Sequence, residues 1–292
     1  MKEKKNLLSL FDAMWAISPN AYYEYMPLFA NIIANGAEAS IRDADASITY
    51  LINEDGKKVS AYDGNTPQNS IGVVNLVGPM IRYGNYWMWG ADELVGMLTR
   101  FDNDPNIIGI LLVIDSGGGS VKAVSPFMDF FKMKKKPVVS LADTSASAAL
   151  WVQSATDYKM ASNNITAQFG SVGVMANFMT YQKYLADLGV KEHTIYSNYS
   201  EEKNKAFDLA MEGKYDLIRT EHLDPLAIKF QTDIKTNLPK LDLNVDGIIT
   251  GKMFYAEEAL QHGFIQEIGN EQRAVERLKE LAAVHTFMNI NT

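Results

Sequence analysis

The spacing of hydrophobic and polar positions changes near residue 70. Before it, apolar residues recur at helical spacing and predict one or two amphipathic helices over residues 1–35, interrupted near Pro19 and Pro27. Residues 36–69 are polar and rich in Gly, Asp and Asn, which predicts a linker or flexible cover with a short hairpin in ITYLINEDGKKVSAY. The helical positions at the start of the chain include Leu7, Leu8, Phe11, Met14 and Trp15.

From residue 70 onward, apolar runs alternate with amphipathic ones. IGVVNLVGPM, IIGILLVIDSGGG and PVVSLADTSAS are apolar on both faces, and helical patterns such as GADELVGMLTRFDNDPN separate them. Strands that are buried on both faces and joined by helices indicate a parallel α/β core. Further along, KEHTIYS predicts another strand, residues 201–237 a long helical stretch, and the C-terminal region a closing helix.

Composition narrows the range of partners. The formal net charge of −8 argues against nucleic acid or an anionic membrane surface as the main partner, because both require basic patches. With no cysteine and four scattered histidines, the sequence predicts neither a metal site nor a cofactor. No run approaches the roughly 20 apolar residues that span a bilayer, and Asp12 interrupts the apolar stretch that follows the basic N-terminus. We therefore expect a cytoplasmic protein with no membrane insertion.

Three consecutive glycines follow the second buried strand, in VIDSGGGSVKAV. A phosphate-binding loop is disfavoured, because the stretch has neither the Walker Lys-Ser/Thr pair nor the GxGxxG spacing. Two interpretations remain open at this point. Gly118 and Gly119 either form a plain tight turn or present bare backbone N–H groups to a cleft, as an oxyanion hole requires.

The next strand ends in LADTSASAALWVQSA, which places serines among very small residues at a strand-to-helix junction. Ser145 or Thr144 is interpreted most simply as a helix N-cap. Small residues on both sides of Ser147 leave its hydroxyl accessible to a substrate. The N–H of Ala148, at the start of the helix, is suited to stabilising an oxyanion.

Together these motifs resemble the serine peptidases of the signal peptide peptidase A family, which share the crotonase/Clp-like fold. The family pattern has a strand ending in Ser-Pro-Gly-Gly-x-Val, then Ala-Ser-Gly-Gly, Ala-Ala-Asp and Gly-Ser-Ile/Leu-Gly-Val elements, and a late Gly…Ala…Gly signature. The resemblance covers about residues 70–270 and implies an α/β fold with a parallel β-sheet spiral and flanking helices, in addition to the N-terminal helical extension. It implies that Ser147 is the nucleophile, with Gly118, Gly119 and Ala148 forming the oxyanion hole. The matching positions are Ser116, Gly118, Gly119 and Val121, then Ala146 and Ser147, Ala155 and Asp157, residues 170–174, and Gly251, Ala259, Gly263 and Gly269.

Two substitutions depart from the family pattern. Gly117 replaces the family's proline, and Ala148-Ala149 replace its Gly-Gly pair, which implies a narrower substrate groove. The family's membrane anchor is also missing from the sequence. The resemblance is therefore to soluble phage and prophage relatives that process capsid or scaffold proteins, and it implies a homo-oligomer in the cytoplasm or inside a viral procapsid.

A serine nucleophile needs a base, and in this family the base is a lysine. The corresponding stretch is TIYSNYSEEKNKAF, where Lys203 is the preferred base, Lys205 the alternative, and Ser171 the residue expected to orient the lysine. The pKa of such a lysine must be lowered by burial. His193 and His222 lie outside any recognisable motif and are interpreted as structural.

The sequence thus predicts an N-terminal helical extension and linker over 1–69, a peptidase domain over 70–284 and a tail over 285–292. The predicted activity is a serine endopeptidase acting on proteins or peptides through a Ser147/Lys203 dyad. One alternative is an inactive relative retained as an assembly scaffold. Another is a crotonase-like acyl-CoA enzyme, which would use the same oxyanion hole but which the exposed serine disfavours.

Overall fold

The apolar runs that follow residue 70 form the inner strands of a central sheet. The computed structural model of the protein describes residues 14–17, 48–85, 88–178, 180 and 182–290. The strands are β1 Met14–Ile17, β2 Thr49–Ile52, β3 Lys58–Ser60, β4 Ser70–Val77, β5 Ile107–Ser116, β6 Gly118–Ser120, β7 Val138–Ala146, β8 Tyr158–Ala161, β9 Gln168–Gly170, β10 Met175–Ala176, β11 Met253–Tyr255 and β12 Glu267–Ile268.

Helices connect and cover these strands. A 3₁₀ turn at Val121–Ala123 leads into the second helix, and a π-helical turn at Arg219–Leu223 joins the sixth and seventh. The helices are α1 Ala91–Asn103, α2 Val124–Met133, α3 Ala148–Ser154, α4 Gln182–Asp187, α5 Lys205–Met211, α6 Asp216–Ile218, α7 Asp224–Asn237, α8 Ala256–His262 and α9 Glu271–Ile290. No helix in the described part of the chain is both long and apolar enough to cross a membrane.

The described strands of the main sheet run in the order β11-β9-β7-β5-β4-β2-β3, with β8 between β7 and β12. The strands β4, β5, β7, β8 and β9 pair in parallel, which confirms the predicted α/β core. Strand β7 divides its pairing: Val139–Ala142 lie beside β8, and Thr144–Ala146 lie beside β9. The end of β7 is therefore enclosed between β5 and β9, and the following residue, Ser147, lies in that enclosure.

Both faces of the sheet are covered by apolar contacts. On one face, α9 packs through Ala274, Val275 and Leu278 against side chains of β4, β5 and β7. On the other face, the larger cluster contains residues from α1, α2, α3 and α7. Fully buried phenylalanines supply much of its volume, each worth about 1.5–3 kcal/mol of burial. They are Phe127, Phe169, Phe230, Phe254 and Phe264.

The predicted hairpin forms, and it joins the sheet. Strands β2 and β3 pair antiparallel around a turn at Gly56, whose φ of 81° suits glycine, and β2 also pairs antiparallel with β4. Residues 48–60 therefore belong to the sheet, and the expectation of a linker is wrong for them. The proposed domain boundary at residue 70 stays a prediction.

The helical prediction for the N-terminus is wrong at Met14–Ile17, which form β1. This strand pairs antiparallel with β6 on one side and with β10 on the other, giving a second, three-stranded sheet. Pairing with two distant strands overrides the local helical periodicity. The rest of the predicted helical region, and the linker up to residue 47, lie outside the described residues.

Two predictions between residues 190 and 237 also need correction. Residues 191–197 are exposed and form no strand, because no strand of the described structure pairs with them. The long helix predicted over 201–237 is divided into α5, α6 and α7. The first break falls at Gly213, whose φ of 81° ends the helical path.

Candidate active site

Ser147 connects β7 to α3 through a strained backbone. Its φ of 55° and ψ of −119° lie where residues with a side chain are rarely found, and the residue is fully buried. The N–H of Ser147 donates to the carbonyl of Gly170 at 2.9 Å, and its own carbonyl accepts from Trp151 at 2.9 Å. A serine on a sharp strand-to-helix turn is the geometry of a nucleophile elbow. The expectation that small neighbours leave its hydroxyl accessible is wrong for the structure described, in which Ser147 is 0% exposed.

The two serines of this junction have different surroundings. Ser145 lies within β7 opposite Ser116, fully buried, and its hydroxyl has no hydrogen-bond partner among the described residues. Neither Ser145 nor Thr144 caps the helix, because both belong to the strand. Ser147 holds the cap position, but its hydroxyl makes no capping bond and donates instead to the carbonyl of Gly173 at 3.4 Å. At that distance the bond is weak.

Two backbone N–H groups are candidates for an oxyanion hole, one from Ala148, the residue after Ser147, and one from Gly118 in β6. Ala148 is the first residue of α3, so its N–H has no acceptor within the helix. Gly118 has a φ of 97°, which a residue with a side chain rarely adopts. Its N–H is held by the hydroxyl of Ser116 at 3.2 Å, and that hydroxyl donates to the carbonyl of Gly78 at 2.6 Å.

Gly119 is explained by a close approach of the backbone. A Cβ at this position would lie 2.6 Å from the nitrogen of Met80 and 2.8 Å from its carbonyl carbon. Met80 borders β6, donating to the carbonyl of Gly118 and accepting from the N–H of Ser120, both at 2.9 Å. The glycine at position 119 is therefore required by the packing of Met80, a cause that the sequence pattern did not reveal.

The Gly-Ser-Val-Gly element forms the opposite wall of the site. Gly170 has a φ of 138° and lies against the carbonyl of Lys252, which also accepts the N–H of Ser171 at 2.9 Å. Ser171 is nearly buried, with a φ of 57°. Around Gly173 there is open space, since a Cβ there would meet nothing within 4 Å. The element thus supplies Ser147 with two backbone acceptors, Gly170 for its N–H and Gly173 for its hydroxyl.

The structure does not bring either predicted base to Ser147. Lys203 lies exposed in a turn before α5, where its backbone N–H donates to Ser200 at 3.1 Å. Lys205 begins α5 and forms an exposed ion pair with Glu202 at 2.8 Å. The hydrogen bond to Glu202 raises the pKa of Lys205, the direction opposite to that needed in a base.

One buried lysine, Lys159, has a strongly lowered pKa, and the sequence patterns did not indicate it. Lys159 in β8 is 5% exposed, and burial lowers its pKa to about 8 against the opposing effect of Asp157. It is paired in register with Ser140, seven positions before Ser147 along β7. At about 3.3 Å per residue, it is roughly 20 Å from the candidate nucleophile. Lys159 is therefore a structural lysine at the far end of the strand.

The two histidines considered in the sequence have different surroundings. His193 is exposed in the irregular stretch before Lys203, and the ring of His222 packs on Phe207 with centroids 5.4 Å apart. Among the described residues, no group of three or more His, Asp or Glu side chains is arranged to hold a metal ion.

A mostly parallel sheet, flanked by helices and ending at a strained serine between two glycine-rich elements, defines the ClpP/crotonase-like class of α/β proteins. Residues 130–285 match the family model described as peptidase family S49. Because the match covers more than half of the chain, the chain belongs to this peptidase family.

Individual relatives include bacterial and phage proteins. The chain is 27% identical over 219 residues to Protease 4 of Haemophilus influenzae, covering 73% of this chain and 35% of the relative. It is 28% identical over 219 residues to the head-tail preconnector protein GP5 of Enterobacteria phage P21, covering 71% and 42%. It is 28% identical over 174 residues to the capsid assembly protease C of Escherichia phage lambda, covering 56% and 38%. The matched region thus spans less than half the length of each of these three relatives.

Proposed function

We propose that the protein is a serine endopeptidase in which Ser147 is the nucleophile and Lys203 the general base. The observation that carries this proposal is the strained backbone of Ser147 at the end of β7. Holding a serine at φ 55° costs on the order of 1–3 kcal/mol, and such strain persists where the surrounding structure imposes it, often at active sites. A helix cap would need no such conformation, and the hydroxyl makes no capping bond.

The oxyanion would be stabilised by the N–H groups of Ala148 and Gly118. That of Ala148 is available because it begins a helix. The N–H of Gly118 would exchange its 3.2 Å bond to the Ser116 hydroxyl for a bond to the oxyanion. Since hydrogen bonds to an ionised acceptor are roughly twice as strong as neutral ones, this exchange is favourable during the reaction.

In the proposed reaction, the neutral amine of Lys203 accepts the hydroxyl proton as the Ser147 oxygen attacks the substrate carbonyl. The protonated amine then returns that proton to the leaving amine, which leaves an acyl-enzyme on Ser147. A water molecule, deprotonated by the same amine, then attacks the acyl-enzyme; the Ser147 oxygen leaves and takes the proton back from the amine, and the carboxylic acid product is released. Ser171, nearly buried beside Gly170, is the residue we expect to orient the amine.

We propose that association of two copies of the chain brings Lys203 next to Ser147. Residues 182–199 are exposed throughout, including Ile195 at 91% and Tyr199 at 98%. Large exposed apolar side chains in one stretch indicate a protein interaction surface. We propose that a second copy of the chain covers this stretch, so that Lys203 becomes buried and its amine reaches a Ser147 hydroxyl.

The biological role we propose is processing of capsid or scaffold proteins in a phage or prophage, inside the assembling procapsid. This rests on the names of two relatives, a head-tail preconnector protein and a capsid assembly protease. The second candidate function is an inactive assembly scaffold of the same fold. The exposed position of Lys203, away from Ser147, favours that candidate.

A serine-directed fluorophosphonate probe separates the two. We expect the probe to label the full chain at Ser147, as located by mass spectrometry, and to label Ser145→Ala but not Ser147→Ala. A chain that remains unlabelled at Ser147 while assembled would contradict the peptidase and favour the scaffold.

A further inference from the structure

Strand β1 fills a cleft between two edges that belong to the candidate site. Its four residues pair antiparallel with β6, which follows the glycine turn, and with β10, which follows the Gly-Ser-Val-Gly element. Without β1, these two edges would present unpaired backbone groups to an approaching chain. Such edges bind extended peptides by adding a strand.

The register places the end of β1 at the level of Ser147. Ile17 lies opposite Gly118, the candidate oxyanion donor. On the other side Met14 lies opposite Ala176 and Trp15 opposite Met175, and this register, continued by two residues, brings Ile17 to Gly173. The carbonyl of Gly173 is the acceptor of the Ser147 hydroxyl.

The direction of the backbone groups explains the pairing. The carbonyl of Gly118 and the N–H of Ser120 are bonded to Met80. Because successive residues of a strand direct these groups to opposite edges, the N–H and carbonyl of Gly119 face β1, where Ala16 is its partner. A substrate in this cleft would need the same two bonds from Gly119.

We propose that the chain's own residues 14–17 occupy the cleft that receives the substrate residues preceding the scissile bond, so that the peptidase is inhibited until this strand leaves. The proposal rests on the proposed function of Ser147. Two strands cannot pair with the same edges at once. An occupant tethered to the same chain acts at an effective concentration of about millimolar, so it raises KM and leaves kcat unchanged.

The test uses the full-length chain and fluorescently labelled casein as the substrate. Ala16→Pro removes the N–H that faces Gly119, and Ala16→Gly is the matched control that keeps it. We expect KM to fall by at least about tenfold in Ala16→Pro, with kcat unchanged, and to stay near the wild-type value in Ala16→Gly. The double variant Trp15→Pro/Ala16→Pro also breaks the pairing with β10, and its KM should fall by at least as much.

Hydrogen exchange at the Gly119 amide reports directly whether β1 is in place. It should be protected in the wild type and exchange faster in the proline variants. Faster exchange without a fall in KM would overturn the proposal, as would a fall in kcat alone or an unprotected Gly119 amide in the wild type. Loss of residues 1–17 from the wild type but not from Ser147→Ala would also overturn it, because the segment would then be a cleaved substrate.

The same measurements distinguish failure of the proposed peptidase function from failure of the proposed inhibition by β1. Failure of the peptidase itself would show as an absence of both fluorophosphonate labelling and casein turnover in every variant. Failure of the inhibitory strand would show as normal labelling and turnover that do not respond to the release of the Gly119 amide.

Discussion

The N–H of Ser147 donates to the carbonyl of Gly170 at 2.9 Å, and this bond joins the candidate nucleophile to the strand beside it. Three residues after the end of that strand lies Gly173, whose carbonyl accepts a hydrogen bond from the Ser147 hydroxyl. The Gly-Ser-Val-Gly element therefore holds both the backbone and the side chain of Ser147. It accounts for the persistence of a strained conformation that a free chain would abandon.

The strain at Ser147 predicts a difference between two variants that both lack the hydroxyl. Ser147→Gly and Ser147→Ala should each abolish peptidase activity, but glycine relieves the unfavourable φ and ψ. We expect Ser147→Gly to have a free energy of unfolding about 1 kcal/mol higher than that of Ser147→Ala, as measured by denaturant unfolding. Equal stabilities would show that the backbone there is not strained.

The glycine turn gives a second prediction. Substitutions at Gly118 and Gly119 should impair the protein for different physical reasons. Gly119→Ala should lower the free energy of unfolding by about 1–3 kcal/mol, because its Cβ would collide with the backbone of Met80. Gly118→Val should reduce turnover by about 10²–10³-fold, because it displaces one oxyanion donor, and it should also lower the free energy of unfolding, because a φ of 97° is unfavourable for a β-branched residue. Gly173→Ala is the stability control, since its Cβ would meet open space. A Gly118→Val variant with near-normal turnover would favour a plain turn.

The amino-acid pattern was sufficient to predict the central strands β4, β5 and β7, because each is an apolar run that is buried on both faces of the sheet. It was insufficient for β1, where the pairing edges come from residues 118–120 and 175–176, far away in the chain. Small residues around Ser147 indicated the serine, and its φ and ψ now distinguish it from Ser145. The base was less predictable, because a lysine's role depends on which groups approach it after folding and assembly.

Lys159 provides a prediction for stability against pH. Burial lowers its pKa to about 8 in the folded protein, compared with the ordinary value of 10.5. Between those values the unfolded chain binds a proton that the folded chain does not, so stability should rise with pH from about 8 to 10.5. Below about pH 8 both states are protonated, and the folded state bears the full cost of the buried charge, on the order of 3 kcal/mol.

Lys159→Met should therefore raise the free energy of unfolding at pH 7 by about 1–3 kcal/mol and remove the rise between pH 8 and 10.5. Denaturant unfolding measured across this pH range tests the change. Lys235→Met, at an exposed position of α7, serves as the control and should leave the pH dependence as it is in the wild type. A destabilised Lys159→Met would mean that the ammonium has a favourable partner in the folded protein.

The base gives the last prediction. Lys203→Met should abolish casein cleavage, while Lys205→Met, His193→Gln and His222→Gln should remain active. Activity lost with a histidine and kept without Lys203 would exclude the dyad, and activity lost only with Lys205 would move the base by two residues.

Mixing two inactive variants then tests whether assembly completes the site. If Lys203 reaches a Ser147 of a neighbouring copy, Ser147→Ala and Lys203→Met should together recover activity, up to about a quarter of that of the wild type after subunit exchange. Removing the apolar surface beside the lysine with Ile195→Asp and Tyr199→Asp should prevent both the oligomer, seen by light scattering, and the recovery. If the wild type is active as a monomer, Lys203 must reach Ser147 within one chain, through a rearrangement of the exposed stretch before α5.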